Sequence, residues 1–176
     1  MFHPGTSALI ETWSALPEAG RIPARAHFDP MAVHTLLPRL WSAQQAQGGA
    51  WTLRLAGGWL EKLDSRAAPG VDWLALWRPE SRPMAEAAVS QAIREARPVV
   101  LIAESVLLAA PVEVTLAPLR DRSGAATRLI GLYQPTDAAD LAAEDIGELS
   151  IRLSVAAGDS RRAPLSLATL DGRRIA

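Results

Sequence analysis

Three histidines, a scatter of carboxylates and a few serines are the side chains here that could do chemistry, and their spacing decides which chemistry is open. His3, His27 and His34 all fall in the first 40 residues. A three-histidine metal site would need two loops and a helix to converge, and the short fixed spacings that mark ligand clusters are missing. Surface or capping roles fit these histidines better. His27 with Asp29 could act as an oriented base, with Ser7 or Ser42 as nucleophile and Glu104 as a further carboxylate. No Gly-x-Ser-x-Gly segment is present to expose a serine on a sharp turn. Asp29, followed by Pro30, is better explained as a helix N-cap. The glycine pairs at 48–49 and 57–58 are not followed by Gly-Lys-Ser/Thr and do not have the dinucleotide spacing, so they read as turns. There is no cysteine. That excludes disulfides, thiolate metal sites, cysteine nucleophiles and a cysteinyl-flavin adduct. The chain therefore reads as a sensing or binding module, not an enzyme, with no catalytic residue, metal or other cofactor expected.

The aromatic residues are distributed unevenly. Six tryptophans, Trp13, Trp41, Trp51, Trp59, Trp73 and Trp77, lie in the first 80 residues, against two phenylalanines and one tyrosine in the whole chain. Core filling is the first reading, since each ring buries a large area. The sharper reading is that Trp59, Trp73 and Trp77 line an apolar pocket between a sheet and its helices, the usual character of a ligand site. Its other walls would be Leu53, Leu55, Val89, Ile93, Val114 and Leu116. Arg54, with Arg94 as a second choice, could anchor an anionic group.

Charge and hydropathy narrow the partners. Eighteen basic residues face 19 acidic ones, a net charge of −1, so the surplus that grips nucleic acid is missing. The basic pairs Arg161–Arg162 and Arg173–Arg174 are too small to change this. No signal peptide and no run of about 18 apolar residues is visible. A cytoplasmic protein without a membrane span is expected.

The elements that must position these residues follow from periodicity. Thr6 can cap a helix over Ser7–Leu16 in which Leu9, Trp13 and Leu16 share one face. That stripe packs either on its own core or on a second subunit, which makes it the candidate dimer interface. Asp29-Pro30 starts a short helix, Met31–Leu37, that stops at Pro38. Leu40–Gln45 and Trp51–Leu55 read as a hairpin turned at Gln47-Gly48-Gly49. Trp59–Leu63 and Asp72–Trp77 suit short helices, and Glu80–Ala96 a longer one with an alanine-rich stripe. Val99–Ala109 reads as a long central strand, followed by strands from Val112 to about Arg120 and over Arg128–Gln134. Residues 136–148 read as a surface segment, Leu149–Val155 as an extra strand, Gly158–Pro164 as a linker, and the remainder as a tail.

Two strands, short helices, a longer helix and three strands is the order of the PAS domain. The residues are more specific than the order. His3-Pro4-Gly5-Thr6 with Trp13, then Pro23-Ala24-Arg25, Asp29-Pro30 and Leu36-Leu37-Pro38, resembles the opening of a bacterial PAS-like family found mainly in alphaproteobacteria. Arg54-Leu55-Ala56-Gly57, Gly70, Leu74 and Trp77 resemble that family's second strand and following helices. The resemblance spans residues 3–135. Two departures stand out: Gly58-Trp59 where a small polar residue is usual, and no glycine within Glu61–Ala68. The resemblance implies an α+β fold: a five-stranded antiparallel sheet with helices on one face, plus N-terminal helices. It implies a helical extension over 1–38, a core over 39–136 and a C-terminal segment over 137–176. A haem-binding member would carry an axial histidine on the long helix, and Glu80–Ala96 has none. The implied role is a regulatory or sensory module that binds a small molecule or a signalling protein, with a homodimer expected. A pure dimerisation or scaffold domain with a filled core is the alternative.

Overall fold

The computed structural model describes residues 1–17, 22–142 and 144–157. The linker and tail expected after Gly158, with both arginine pairs, lie outside the described residues.

The chain opens with α1, Pro4–Ser14. Its cap is His3, whose Nδ1 accepts from the Gly5 amide at 3.0 Å. Pro4 follows at the first helical position, where its fixed φ suits the helix and its missing N–H costs nothing. Thr6, expected to be the cap, instead lies inside the helix and is fully buried. The segment Pro30–Arg39 is a run of 3-10 turns broken at Val33 (φ −126°, ψ 36°), not a short α-helix. Asp29 does cap it, accepting from the Met31 amide at 2.9 Å.

The sheet has strands β1 (Leu40–Gln45), β2 (Trp51–Ala56), β3 (Val99–Glu104), β4 (Val112–Leu119), β5 (Arg128–Pro135) and β6 (Ser150–Ala156). Their order is β2-β1-β5-β4-β3-β6, antiparallel throughout. The expected five strands are therefore six, because the Leu149–Val155 alternation does form a strand and extends the sheet beside β3. The long apolar run is split: β3 stops at Glu104, and the chain leaves the sheet with Val106 and Leu107 in solvent. Asp140 is buried and holds the returning loop, accepting from the amides of Ala109 and Ala110 at 3.0 Å each. Residues 136–148 are thus partly structural, and the Ile146 amide adds a bond to Leu63 O at 2.9 Å.

The PAS-type helices lie on one face, as expected, and the N-terminal segment covers the other. On the inner face lie α2 (Gly58–Leu63), a 3-10 turn at Trp73–Leu76 and α3 (Arg82–Glu95). Alanines 85, 88 and 92 of α3 are buried against the sheet, and Ala96 ends the helix in the left-handed region (φ 52°). On the outer face lie α1 and the 30–39 segment, with Leu9, Trp13, Val33 and Leu36 packed on Leu119, Ile130 and Leu132. This explains why every residue of β4 is buried, although its sequence alternates. A strand roofed on both sides has no solvent face.

Candidate functional site

Trp41 on β1, Trp73 and Trp77 around the 3-10 turn, and Tyr133 on β5 meet between the sheet and the inner helices. Trp41 and Trp73 stack with centroids 4.9 Å apart and planes 6° apart. Trp77 meets Trp73 edge-on at 5.4 Å, and Tyr133 lies 6.2 Å from Trp41 and 6.4 Å from Trp77. All four are at most 2% exposed. The Trp73 Nε1–H donates to the Tyr133 hydroxyl at 3.0 Å. Burial pushes the Tyr133 phenol above its ordinary pKa, and the Trp73 bond offsets only part of that. The indole N–H groups of Trp41 and Trp77 are buried with no hydrogen-bond partner, each at a cost of about 1–3 kcal/mol. The four ring pairs, each adding about 0.5–1.5 kcal/mol beyond the burial itself, offset a penalty of similar size.

Local sequence explains the arrangement. The Asp72 carboxylate accepts from the Leu74 amide at 3.1 Å and starts the turn that swings Trp73 and Trp77 inward. Gly131 sits where a Cβ would strike the Trp41 ring and the Thr115 carbonyl, so only glycine lets β5 pass this close.

Most of the expected pocket residues do converge. Leu53, Trp59, Trp73, Trp77, Val89, Val114 and Leu116 belong to one buried cluster, with Ile93 packed on it. Arg54 and Leu55 do not. Ser42 pairs with Leu55 and Ala43 with Leu53, which leaves Arg54 as a bulge. The bulge flips the inside-outside phase, so Leu55 is 47% exposed and Ala56 takes its place against the core. Arg54 and Arg94 are both exposed. Sequence reading missed Trp41 and Tyr133 as members of the cluster, although the position of Trp41 in a hairpin strand carried the signal for one of them.

The interface stripe is placed differently from a dimer contact. Leu9 and Trp13 are fully buried on the chain's own sheet, and the Trp13 Nε1–H donates to Pro118 O at 2.8 Å. Leu16 packs beside them, half-buried.

The candidate catalytic groups each have a local role. The Asp29 carboxylate caps, His27 Nδ1 lies 3.3 Å from Pro17 O, His34 Nδ1 lies 3.3 Å from Met31 O, and Glu104 accepts from Arg152 Nε at 2.7 Å. Among the described residues no group of three or more His, Asp or Glu side chains is placed to hold a metal ion. None of their helices is long and apolar enough to cross a membrane.

A six-stranded antiparallel sheet in this order, with the long helix across its inner face, is the expected PAS arrangement with one added strand. A PAS domain family model (PAS_5) matches residues 1–134. The chain belongs to the PAS domain family. The match takes in α1 and the 30–39 segment, and β6 lies beyond the matched span. No curated protein matches the sequence. Among solved structures the PAS chain is similar to an RNA-binding light-oxygen-voltage receptor, with 24% identity and a TM-score of 0.46 over 68% of this chain and 36% of that one. It thus spans about a third of that receptor's length. It is also similar to the dark structure of the blue-light photoreceptor Aureochrome1 LOV, with 16% identity and a TM-score of 0.46 over 63% of this chain and 84% of that one.

Proposed function

We propose that this PAS domain is a non-catalytic regulatory module, of the bacterial type that its opening motifs resemble, and that it signals by associating with a protein partner or a second copy. The observation that carries this reading is the stack of Trp41 on Trp73, closed by Trp77 and Tyr133. These rings occupy the space between sheet and helices where an enclosed ligand would sit, so the filled-core alternative gains over a ligand-binding interior. The same packing, with the absence of cysteine from the sequence, speaks against a cysteinyl-flavin or haem held inside. The roofed outer face supports a further point: α1 serves its own fold, so association uses other surfaces.

The test is light scattering over a concentration series, paired with capture of partners by the full chain. The reading expects a stable assembly or a specific partner, kept in the Leu55→Asp variant, which alters an exposed side chain outside the cluster. A chain that stays monomeric and captures nothing overturns it.

A further inference from the structure

Where β4 turns into β5, the connector before Phe28 lies against the hairpin. The Arg25 amide donates to Arg120 O and the Arg120 amide donates to Pro23 O, both at 2.8 Å. These two bonds fix the walls of an open groove of 840 Å³. Four arginines line it: Arg25, Arg120, Arg122 and Arg128. The one carboxylate in the lining, Asp121, is committed to its own turn. It accepts from the Ser123 hydroxyl and the Thr127 hydroxyl at 2.6 Å each and from the Ser123 amide at 2.8 Å. Four positive charges therefore face one spent negative charge, in a chain whose net charge is −1.

The arginines are positioned but not satisfied. Arg25 donates to Phe28 O at 3.1 Å and rests over the Phe28 ring. Arg120 donates through Nε to Ile22 O. Each uses one of five N–H donors. The side chains of Arg122 and Arg128 have no ion pair or hydrogen bond among the described residues. Gathering like charges costs free energy unless an anion offsets it. Planar guanidinium forks fit the paired oxygens of phosphate groups.

We propose that this groove binds a compact oligophosphate, a di- or triphosphate group, read through its phosphates by Arg25, Arg120, Arg122 and Arg128. The site lies outside the tryptophan cluster and goes beyond the regulatory reading, which stands or falls separately. Its lining contains no aromatic side chain, so it offers no stacking platform for a base. Inorganic and nucleoside sources of the group are therefore bound alike.

The experiment is a calorimetric titration of the full chain with tripolyphosphate and, separately, with ADP, at low and at physiological salt. Both probes bind saturably with similar affinity. Arg122→Ala and Arg128→Ala each weaken binding about tenfold, the size expected for one charged hydrogen-bonding contact. Arg94→Ala on α3 leaves binding unchanged, and unaltered melting curves show that the variants fold. No saturable binding at millimolar probe overturns the site. So does binding of ADP without tripolyphosphate, or an equal loss in Arg94→Ala, which would mark general charge attraction.

Discussion

Trp41 and Trp73 lie in near-parallel contact, 4.9 Å between centroids, although one is set in a strand and the other in a turn 32 positions later. The contact ties the first hairpin to the layer above it and closes the interior. Trp73→Ala should cost about 3–5 kcal/mol in denaturant unfolding, the range for removing a large buried ring. The space it leaves is apolar, so added indole should recover part of the loss, as a dry cavity takes an apolar guest. A loss under about 1 kcal/mol would mean that the ring is not packed as described.

Gly131 and Gly5 both lie against neighbours, but unequally. A methyl at 131 meets the Trp41 ring and a strand carbonyl, which cannot yield, whereas one at 5 meets the end of the Gln134 side chain, which can move by giving up its bonds to the Arg39 guanidinium and the Pro135 carbonyl. Gly131→Ala should destabilise by about 3 kcal/mol or more, and Gly5→Ala by clearly less. Thermal melts of the two variants rank them, and the reverse order would contradict the packing.

Tyr133 is the only tyrosine of the chain, so its ionisation is read without interference from another phenol. Its folded pKa is raised, mainly by burial. The neutral form is therefore favoured in the folded state, and the stabilising effect is complete below about pH 10, where the unfolded phenol titrates. As pH rises above that value, stability falls. Tyrosinate absorbance should stay absent in the native protein at pH 10 and appear only with unfolding. Ionisation of the folded protein near the ordinary value would place the phenol in solvent.

Asp121 titrates in the other direction. Hydrogen bonds from Ser123 and Thr127 lower its carboxyl to about 2. Its contribution to the β4–β5 turn is present above the unfolded value of about 4 and fades as pH falls towards 2. An NMR titration should give a midpoint near 2, and Asp121→Asn should flatten the pH dependence of stability in that window. A midpoint near 4 would mean that the turn does not hold the carboxylate.

The outer face offers a test of α1. The Trp13 Nε1–H bond to Pro118 O is buried, so Trp13→Phe should cost about 1–2 kcal/mol by leaving the carbonyl unpaired. Its oligomeric state by light scattering should not change. A shift in assembly with no loss of stability would instead place Trp13 in a subunit contact.

Much of the fold was legible because its signals are local. The Asp29 cap, the 47–49 turn, the alternation of β2 up to Leu53 and the alanine stripe of α3 are each set within a few residues. What was not legible depends on distant partners. Thr6 reads as a cap until the helix lies on the sheet and His3 takes the role. Leu55 reads as inward until the bulge at Arg54, set by pairing with β1, reverses the phase. β3 ends at Glu104, and the loop beyond it is held at Ala109 and Ala110 by Asp140, about 30 positions later in the chain. Most of the candidate pocket residues meet in one buried cluster, because inward positions of strands and helix can be counted. Whether they enclose a space or fill it depends on ring orientation, which no spacing rule encodes.

The central claim is that the interior is closed by the protein's own aromatic rings. Its most direct test is native mass spectrometry of the freshly purified chain, beside an Arg122→Ala/Arg128→Ala variant that empties the arginine groove. The account predicts that the variant's subunit mass equals that of the polypeptide alone, whatever its oligomeric state. A stoichiometric small molecule retained by the variant, and released on denaturation, would contradict it.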